Sequence, residues 1–270
     1  MHEYNHNDVN SIYHFSKKLE GKTLRDVLCD SKIKKIEYKE SNDKKFNRNK
    51  GRFGSLVQSE FFGLSKDSNK GPDFSNAGLE LKVTSLKISK KGVLAPKERL
   101  SLCTLNCHQM AKERWENSYF LNKISSTLLI RYVDPNYPQS PKIKKDGSIT
   151  YHKNYSNGFT KELPATLKKT SILDYKFVDV RIMNLEDTIG FDELKNDWLH
   201  IFNMILEGKA HEFSEKQTTY LSANTKGAGG SQTTTQPFSN DTFKPRGLGL
   251  KPSFMKQFID EKLYEIWLKD

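Results

Sequence analysis

The sequence predicts a mixed α/β (α+β) protein, one domain in two lobes, and three observations carry that reading. Apolar and polar residues alternate with period two over 79–88 and 99–107, and strand-like runs return at 127–133 and 175–183. Over 191–206 apolar residues instead recur every three to four positions, as on a helix packed along one side, and a second helix is expected over 253–268. At 270 residues the chain is also long enough to bury a substantial core.

From the N-terminus, Ile12, Phe15 and Leu19, then Leu24, Val27 and Leu28, give two short helices broken at Gly21. From Ser31 to Lys50 lysines and asparagines dominate and apolar residues are few, so an exposed connection is expected. Ser55 to Phe62 reads as a helix between Gly54 and Gly63, and the polar stretch Lys66–Pro72 as a loop. The runs 79–88 and 99–107, with Gly92 and Pro96 between them, suggest a β-hairpin. Residues 134–164 are rich in Pro, Lys, Asn, Tyr and Gly and read as a long excursion between strands. The helix over 191–206 has Leu194, Trp198, Ile201 and Ile205 on one stripe, acids in its first turn and Gly208 at its end. SANTKGAGGSQTTTQ, residues 222–236, is Gly-rich and polar and is expected to be a loop.

Lys and Arg outnumber Asp and Glu by 44 to 33, for a formal charge of +11 and a pI near 9.3. A polyanion is the natural partner, nucleic acid first among candidates, although a solvated basic face also explains such a charge. Three cysteines, Cys29, Cys103 and Cys107, form no framework and point to reduced thiols in a cytoplasmic protein. Cys103, Cys107 and His108 lie together, with Cys103, Leu105 and Cys107 alternating as on one strand face; no second ligand pair completes a zinc site. No apolar run approaches the ~20 residues that span a bilayer, so membrane insertion is not expected.

The informative stretch is GPDFSNAGLELK, residues 71–82. Period two places Glu80 and Lys82 on one face of a strand. A turn through Asn76, Ala77 and Gly78 would bring Asp73 beside Glu80, and two carboxylates make the hard oxygen site that Mg2+ prefers. Such a metal polarises a phosphoryl oxygen and stabilises a leaving oxygen. Lys82 would orient or deprotonate the attacking water, or stabilise the charged transition state, and the sequence does not choose between these roles. An acid followed by Glu, any residue and Lys is common; an exposed strand with an ion pair also explains it.

GSLVQSEFFGLSKDSNKGPDFSNAGLELKVTSLK, residues 54–87, resembles the active-site region of the MutH family, which includes the mismatch-repair nicking endonuclease and the Sau-type restriction endonucleases that cut at GATC. LEGKTLRDVL, WENSYFLNK (115–123), EGKAHEFSE (207–215), YLSANTKGA (220–228) and LGLKPSFMKQFI (248–259) resemble further family segments in the same order. The resemblance implies a restriction-endonuclease-like core, a mixed central sheet flanked by helices, with two lobes forming a DNA cleft. Residues 1–133 would form the catalytic lobe, and 165–270 would complete the sheet and carry the DNA-reading loop. It further implies that Asp73, Glu80 and the backbone carbonyl of Leu81 bind the metal and that Lys82 sits at the attacking water. Gln58 would be the ancillary helix residue, with Glu60 as its rival because Gly63 comes one residue later than in some members. Lys123 would be a second cation of the site.

For DNA reading, the family's loop corresponds to SANTKGAGG. Asn224 would pair with adenine, Thr225 touch a base or a thymine methyl, and Lys226 reach guanine. Gly227 would let the backbone come close. Arg246 and Lys251 would bind phosphate or a groove edge, and Phe254 would pack on a sugar or wedge a base step. The resemblance leans towards a type II restriction endonuclease acting with Mg2+ on double-stranded DNA at GATC. A nickase for hemimethylated GATC and a non-catalytic DNA-binding half are the alternatives, the second disfavoured by the intact acid, Glu and Lys set. A structural RNA-binding protein ranks last, since basic and aromatic strand signatures are lacking. Restriction enzymes of this kind often carry a second MutH-like half, so either a C-terminal domain is missing or single chains pair as a homodimer on DNA to cut both strands.

Overall fold

Asp8 opens the first helix by accepting the Asn10 N–H at 2.9 Å, and α1 (Val9–Ser16) runs into a 3-10 turn. Gly21, at φ +71°, breaks the path, and Thr23 and Asp26 cap α2 (Leu24–Val27) reciprocally. This is the expected pair of short helices. The computed structural model describes residues 3–49, 51–65, 71–88, 94–133, 142–143, 149–150, 171–226 and 232–259.

The expected connection over 31–50 is instead helical as far as it is described: α3 (Asp30–Asn42) is followed by α4 (Lys44–Arg48). Ile36 is buried and Ile33 and Phe46 pack beside it, while lysines and glutamates, good helix formers, cover the solvent side. Sparse apolar residues suffice because tertiary packing supplies most helical stability. Next, α5 (Arg52–Leu56) continues into a π-helical turn, Val57–Phe61, in which the Phe62 N–H reaches back five residues to the Val57 carbonyl at 3.1 Å.

The strands are β1 (Glu80–Ile88), β2 (Leu94–Pro96), β3 (Leu100–Thr104), β4 (Ser126–Val133), β5 (Lys142–Ile143), β6 (Ile149–Thr150), β7 (Phe177–Asn184), β8 (Leu221–Thr225), β9 (Thr234–Gln236), β10 (Ser239–Phe243) and β11 (Arg246–Leu250). The remaining helices are α6 (Cys107–Met110), α7 (Tyr119–Ile124), α8 (Phe191–Leu206) and α9 (Pro252–Met255). A mixed sheet runs β2-β1-β4-β7, with β1 and β4 parallel and the outer strands antiparallel. A second sheet, β3-β11-β8, is antiparallel throughout. The mixed α/β architecture and helix-flanked mixed sheet are as expected, and α8 spans the residues predicted for it, with Gly208 at φ +70° beyond its end.

Three further expectations change. The partner of β1 in its hairpin is β2, not the run at 99–107; that run supplies β3 to the other sheet. Cys107 opens α6 rather than continuing a strand face, because the Asn106 side chain caps the helix by accepting the Gln109 N–H at 3.1 Å. The polar stretch 222–236 is bounded by β8 and β9 rather than being loop throughout: Leu221 and Ala223 face the core while Asn224 and Thr225 carry the polarity outward. The C-terminal helix is described only as α9 and a 3-10 turn to Phe258, with Ile259 extended beyond it; residues 260–268 lie outside the described residues. Within the excursion at 134–164, β5 and β6 pair antiparallel.

Two large apolar clusters, with a small third one of Leu86, Leu94 and Val133, form the interior, and the two large ones interleave along the chain. One gathers α1 to α5, Phe74, Leu79 and Leu81, with Phe177 and Val180 of β7. The other gathers β3, α6, α7, α8, β8, β11 and α9. β4 serves both: its pleat sends Leu128 and Ile130 into the first and Leu129 into the second. Buried Arg131 of β4 lies opposite Asp179 of β7 in a forked ion pair, Nε to Oδ1 at 2.6 Å, and Arg181 adds a second cation at 2.8 Å.

Candidate active site

The chain reverses tightly before β1. Phe74 and Leu79 exchange both backbone hydrogen bonds, at 3.0 and 3.2 Å, around a 3-10 turn over Ser75–Ala77. Gly78 closes the turn at φ +63°, where a side chain would be strained. One step outward from that bridge, Asp73 stands across from Glu80, as the spacing predicts.

Asp73 and Glu80 are tied through the backbone. The Asp73 N–H donates to Glu80 Oε2 at 3.2 Å, and the Leu81 N–H donates to Asp73 Oδ2 at 2.9 Å. In an extended strand the N–H and C=O of one residue leave by the same edge, so the Leu81 carbonyl faces the side that Asp73 occupies. Gln58, in the π-helical turn, donates to Asp73 Oδ1 at 3.2 Å. Glu60 points elsewhere, with Lys35 at 3.8 Å, so of the two rivals Gln58 is the residue brought to the acids.

Glu80 is buried, and two lysines converge on it. Lys82, two residues along the same face of β1, pairs with Oε1; Lys123, from α7, lies 3.2 Å from Oε2 and also donates to the Gly71 carbonyl at 2.8 Å. α7 belongs to the second apolar cluster and Leu79 and Leu81 to the first, so the site forms where the two cores meet. Burial pushes the Glu80 carboxyl above its ordinary value; Lys82 opposes the rise, Asp73 adds to it and Lys123 opposes it. With this sign the Glu80 contribution to folding is present at low pH and lost as pH rises through the elevated folded value. Metal-free wild type should therefore lose stability relative to Glu80→Gln as pH rises above the ordinary carboxylate range, by denaturant unfolding. An unchanged difference would show that the two lysines fully offset the burial.

Two carboxylates on adjacent strands of a tight turn, with a backbone carbonyl on the same side, make a hard oxygen donor set that fits Mg2+. The residues present therefore suit the expected metal, which Asp73, Glu80 and the Leu81 carbonyl would hold.

The residues expected to read DNA stand in different settings. Asn224 and Lys226 lie on the outer face of the second sheet; Lys226 donates to Thr104 Oγ1 at 3.0 Å, and burial, with Lys82 adding to the effect, holds its ammonium below the usual lysine value. Thr225 is exposed and accepts from Arg246 Nη1 at 3.0 Å, while Gly227 lies outside the described residues. Arg246 also donates to the carbonyls of Ala223 and Phe213, and Lys251 to those of Glu215, at 2.6 Å, and Thr218, so both cations hold the strand ends together. Phe254, 1% exposed, packs against Tyr220 and Phe258 in the core and is not on a surface from which to wedge a base step.

Sequence reasoning missed Arg99, Gly247 and Gly249. Arg99, just before β3, pairs with Glu215 and with the Asn224 side-chain oxygen. A Cβ on Gly247 would meet the Lys226 side chain at 2.3 Å, and one on Gly249 would meet Asn224 Nδ2 at 2.8 Å. The alternating glycines of RGLGL were the available signal, since glycine within a strand marks close approach of another group.

The chain is similar to known proteins in sequence. Residues 62–157 match the family model described as DNA mismatch repair enzyme MutH. The chain is 33% identical over 214 residues to the type II restriction enzyme Sau3AI of Staphylococcus aureus; the match covers 76% of this chain and 37% of that protein. It is 22% identical over 221 residues to the DNA mismatch repair protein MutH of Shewanella sp. strain W3-18-1, covering 81% of this chain and 82% of that one. This chain thus spans well under half the length of the staphylococcal relative.

Proposed function

Because the chain belongs to the family of MutH and the Sau-type restriction enzymes, we propose that it is a type II restriction endonuclease that hydrolyses phosphodiester bonds of double-stranded DNA at GATC with Mg2+. The observation that carries this reading is the convergence of Asp73, Glu80, Lys82 and Lys123 at one buried carboxylate. A surface ion pair, the plainest explanation of the motif in the sequence, would not bury Glu80 to 1% exposure or recruit a lysine from a separate helix.

Mg2+ held by Asp73, Glu80 and the Leu81 carbonyl would polarise the scissile phosphate and stabilise the leaving oxygen. The chain's own groups do the rest. Lys82 is anchored at Glu80, and from there it would orient the attacking water and add positive charge as the phosphate becomes more negative. Lys123 supplies a second fixed charge on the other oxygen of Glu80. Gln58 donates to Asp73 Oδ1 and so fixes the rotation of that carboxylate. Lysines and arginines across the basic surface bind phosphates without regard to sequence, and specificity falls to the outer face of the second sheet.

Greater identity to the restriction enzyme than to the repair protein favours restriction. With one site per chain, a lone copy would nick, and double-strand breaks would require two copies on DNA. The test is incubation of the purified chain with plasmid and Mg2+, sequencing of the ends, and a repeat on adenine-methylated plasmid. Ends at GATC support the proposal; selective nicking of hemimethylated sites would replace it with the repair reading. Binding to GATC duplexes with no cleavage at any metal concentration would leave a DNA-binding half.

A further inference from the structure

The outer face of the second sheet presents Ser222 and Asn224 of β8, Ser101 and Thr104 of β3, and Gly247 and Gly249 of β11. The glycines make a floor on which longer side chains lie flat: Lys226 over Gly247 and Asn224 over Gly249, each closer than a Cβ would permit.

The polarity of Asn224 on this floor is determined by its neighbours. Its Oδ1 receives the Ser222 hydroxyl at 2.8 Å and a guanidinium N–H of Arg99. Arginine has donors only, so the atom turned toward it must be the amide oxygen. Arg99 is held in turn by Glu215. Nδ2 lies over Gly249, and among the described residues no hydrogen bond engages it. The amide therefore offers a donor, its acceptor being already committed.

Resting on the reading of this chain as a sequence-specific endonuclease, we propose that Arg99 and Gly249 are positioning residues for specificity, fixing Asn224 as a hydrogen-bond donor toward one acceptor on a base edge. This narrows the pairing with adenine expected from the sequence, since a bidentate contact would need the amide oxygen to be free. A donor in the major groove meets N7 or O6 of guanine, N7 of adenine or O4 of thymine, and finds only a donor at cytosine N4. The contacted position thus excludes cytosine on the contacted strand. Arg99, its guanidinium already shared between Glu215 and Asn224, acts through Asn224 and not through a phosphate.

The experiment measures binding in a Lys82→Ala background, which prevents cleavage, across duplexes that vary one base pair at a time in the preferred site. Asn224→Asp, which replaces the donor with an acceptor, should abolish the preference at one position, a change of about tenfold or more. Arg99→Gln should flatten that same position with little effect at the others and no change in salt dependence. Arg99 is exposed, so the variant is expected to fold; Gly249→Ala, whose Cβ would also stand 3.0 Å from the Leu100 carbonyl, is the second probe, read alongside its melting temperature. Uniform weakening by Arg99→Gln at every sequence, with a salt slope reduced by about one, would identify a phosphate contact and overturn the proposal. Wild-type-like preferences in Arg99→Gln would overturn it as well. A parent chain that prefers no duplex at all would remove the endonuclease reading itself, and this inference with it.

Discussion

Lys82→Ala is expected to slow strand cleavage by about a thousandfold or more, some 4 kcal/mol of transition-state stabilisation, while the chain still folds and binds DNA. The size follows from position. Lys82 is largely enclosed and anchored on Glu80, where a fixed charge is less screened than at an exposed surface. Lys123 remains on the other oxygen of Glu80 in the variant, so the carboxylate keeps a counter-charge and the fold should hold. The loss should fall on kcat and leave DNA affinity within a few fold, because a group acting mainly in the transition state contributes little to ground-state binding. Single-turnover cleavage and equilibrium binding of the two proteins check both halves. Wild-type cleavage by Lys82→Ala would place the chemistry elsewhere in the chain.

The second large effect concerns the sheet beneath the site. Asp179→Ala removes the partner of Arg131 and leaves a guanidinium buried between β4 and β7 with no carboxylate. Breaking such a pair from one side costs about 3–5 kcal/mol, since the remaining charge stays out of water. At roughly 2–4 °C per kcal/mol for a chain of this size, the melting temperature should fall by about 6–20 °C. Arg181 loses its partner too but is partly exposed and can turn to solvent. The double variant Arg131→Met with Asp179→Leu should recover most of the loss, because an apolar pair carries no desolvation penalty. A single variant as stable as wild type would mean that water reaches the Arg131 guanidinium.

What the sequence made legible was local. The turn that sets Asp73 beside Glu80 needs only a glycine in a left-handed conformation and a short reversal, and α8 needs only a clean apolar stripe; both stand where their residues predict them. Non-local pairing was not legible: β2 contributes only three residues, too few to show a period, and β3 has the pattern of a hairpin partner while pairing with a strand nearly 150 residues later. β11 was hidden by its own glycines, which lower strand propensity in order to seat Lys226 and Asn224. The rivalry of Gln58 and Glu60 had a similar origin. Ordinary helical spacing cannot choose between them across a π-helical turn, which takes up one extra residue and rotates the residues beyond it.

The order of the second sheet, β3-β11-β8, has a consequence for the making of the protein. Its middle strand is the last to be synthesised, so β3 and β8 have no neighbour in common until residue 250 has left the ribosome. Both edges of β11 must be filled for the outer face to exist, and the glycine floor under Asn224 and Lys226 is itself part of β11. Closing that sheet requires contacts far apart in sequence, which makes it slow and leaves β3 without its sheet neighbour until β11 has been made. The face proposed to choose a DNA sequence is thus completed only after every strand of the sheet bearing the acids has been made.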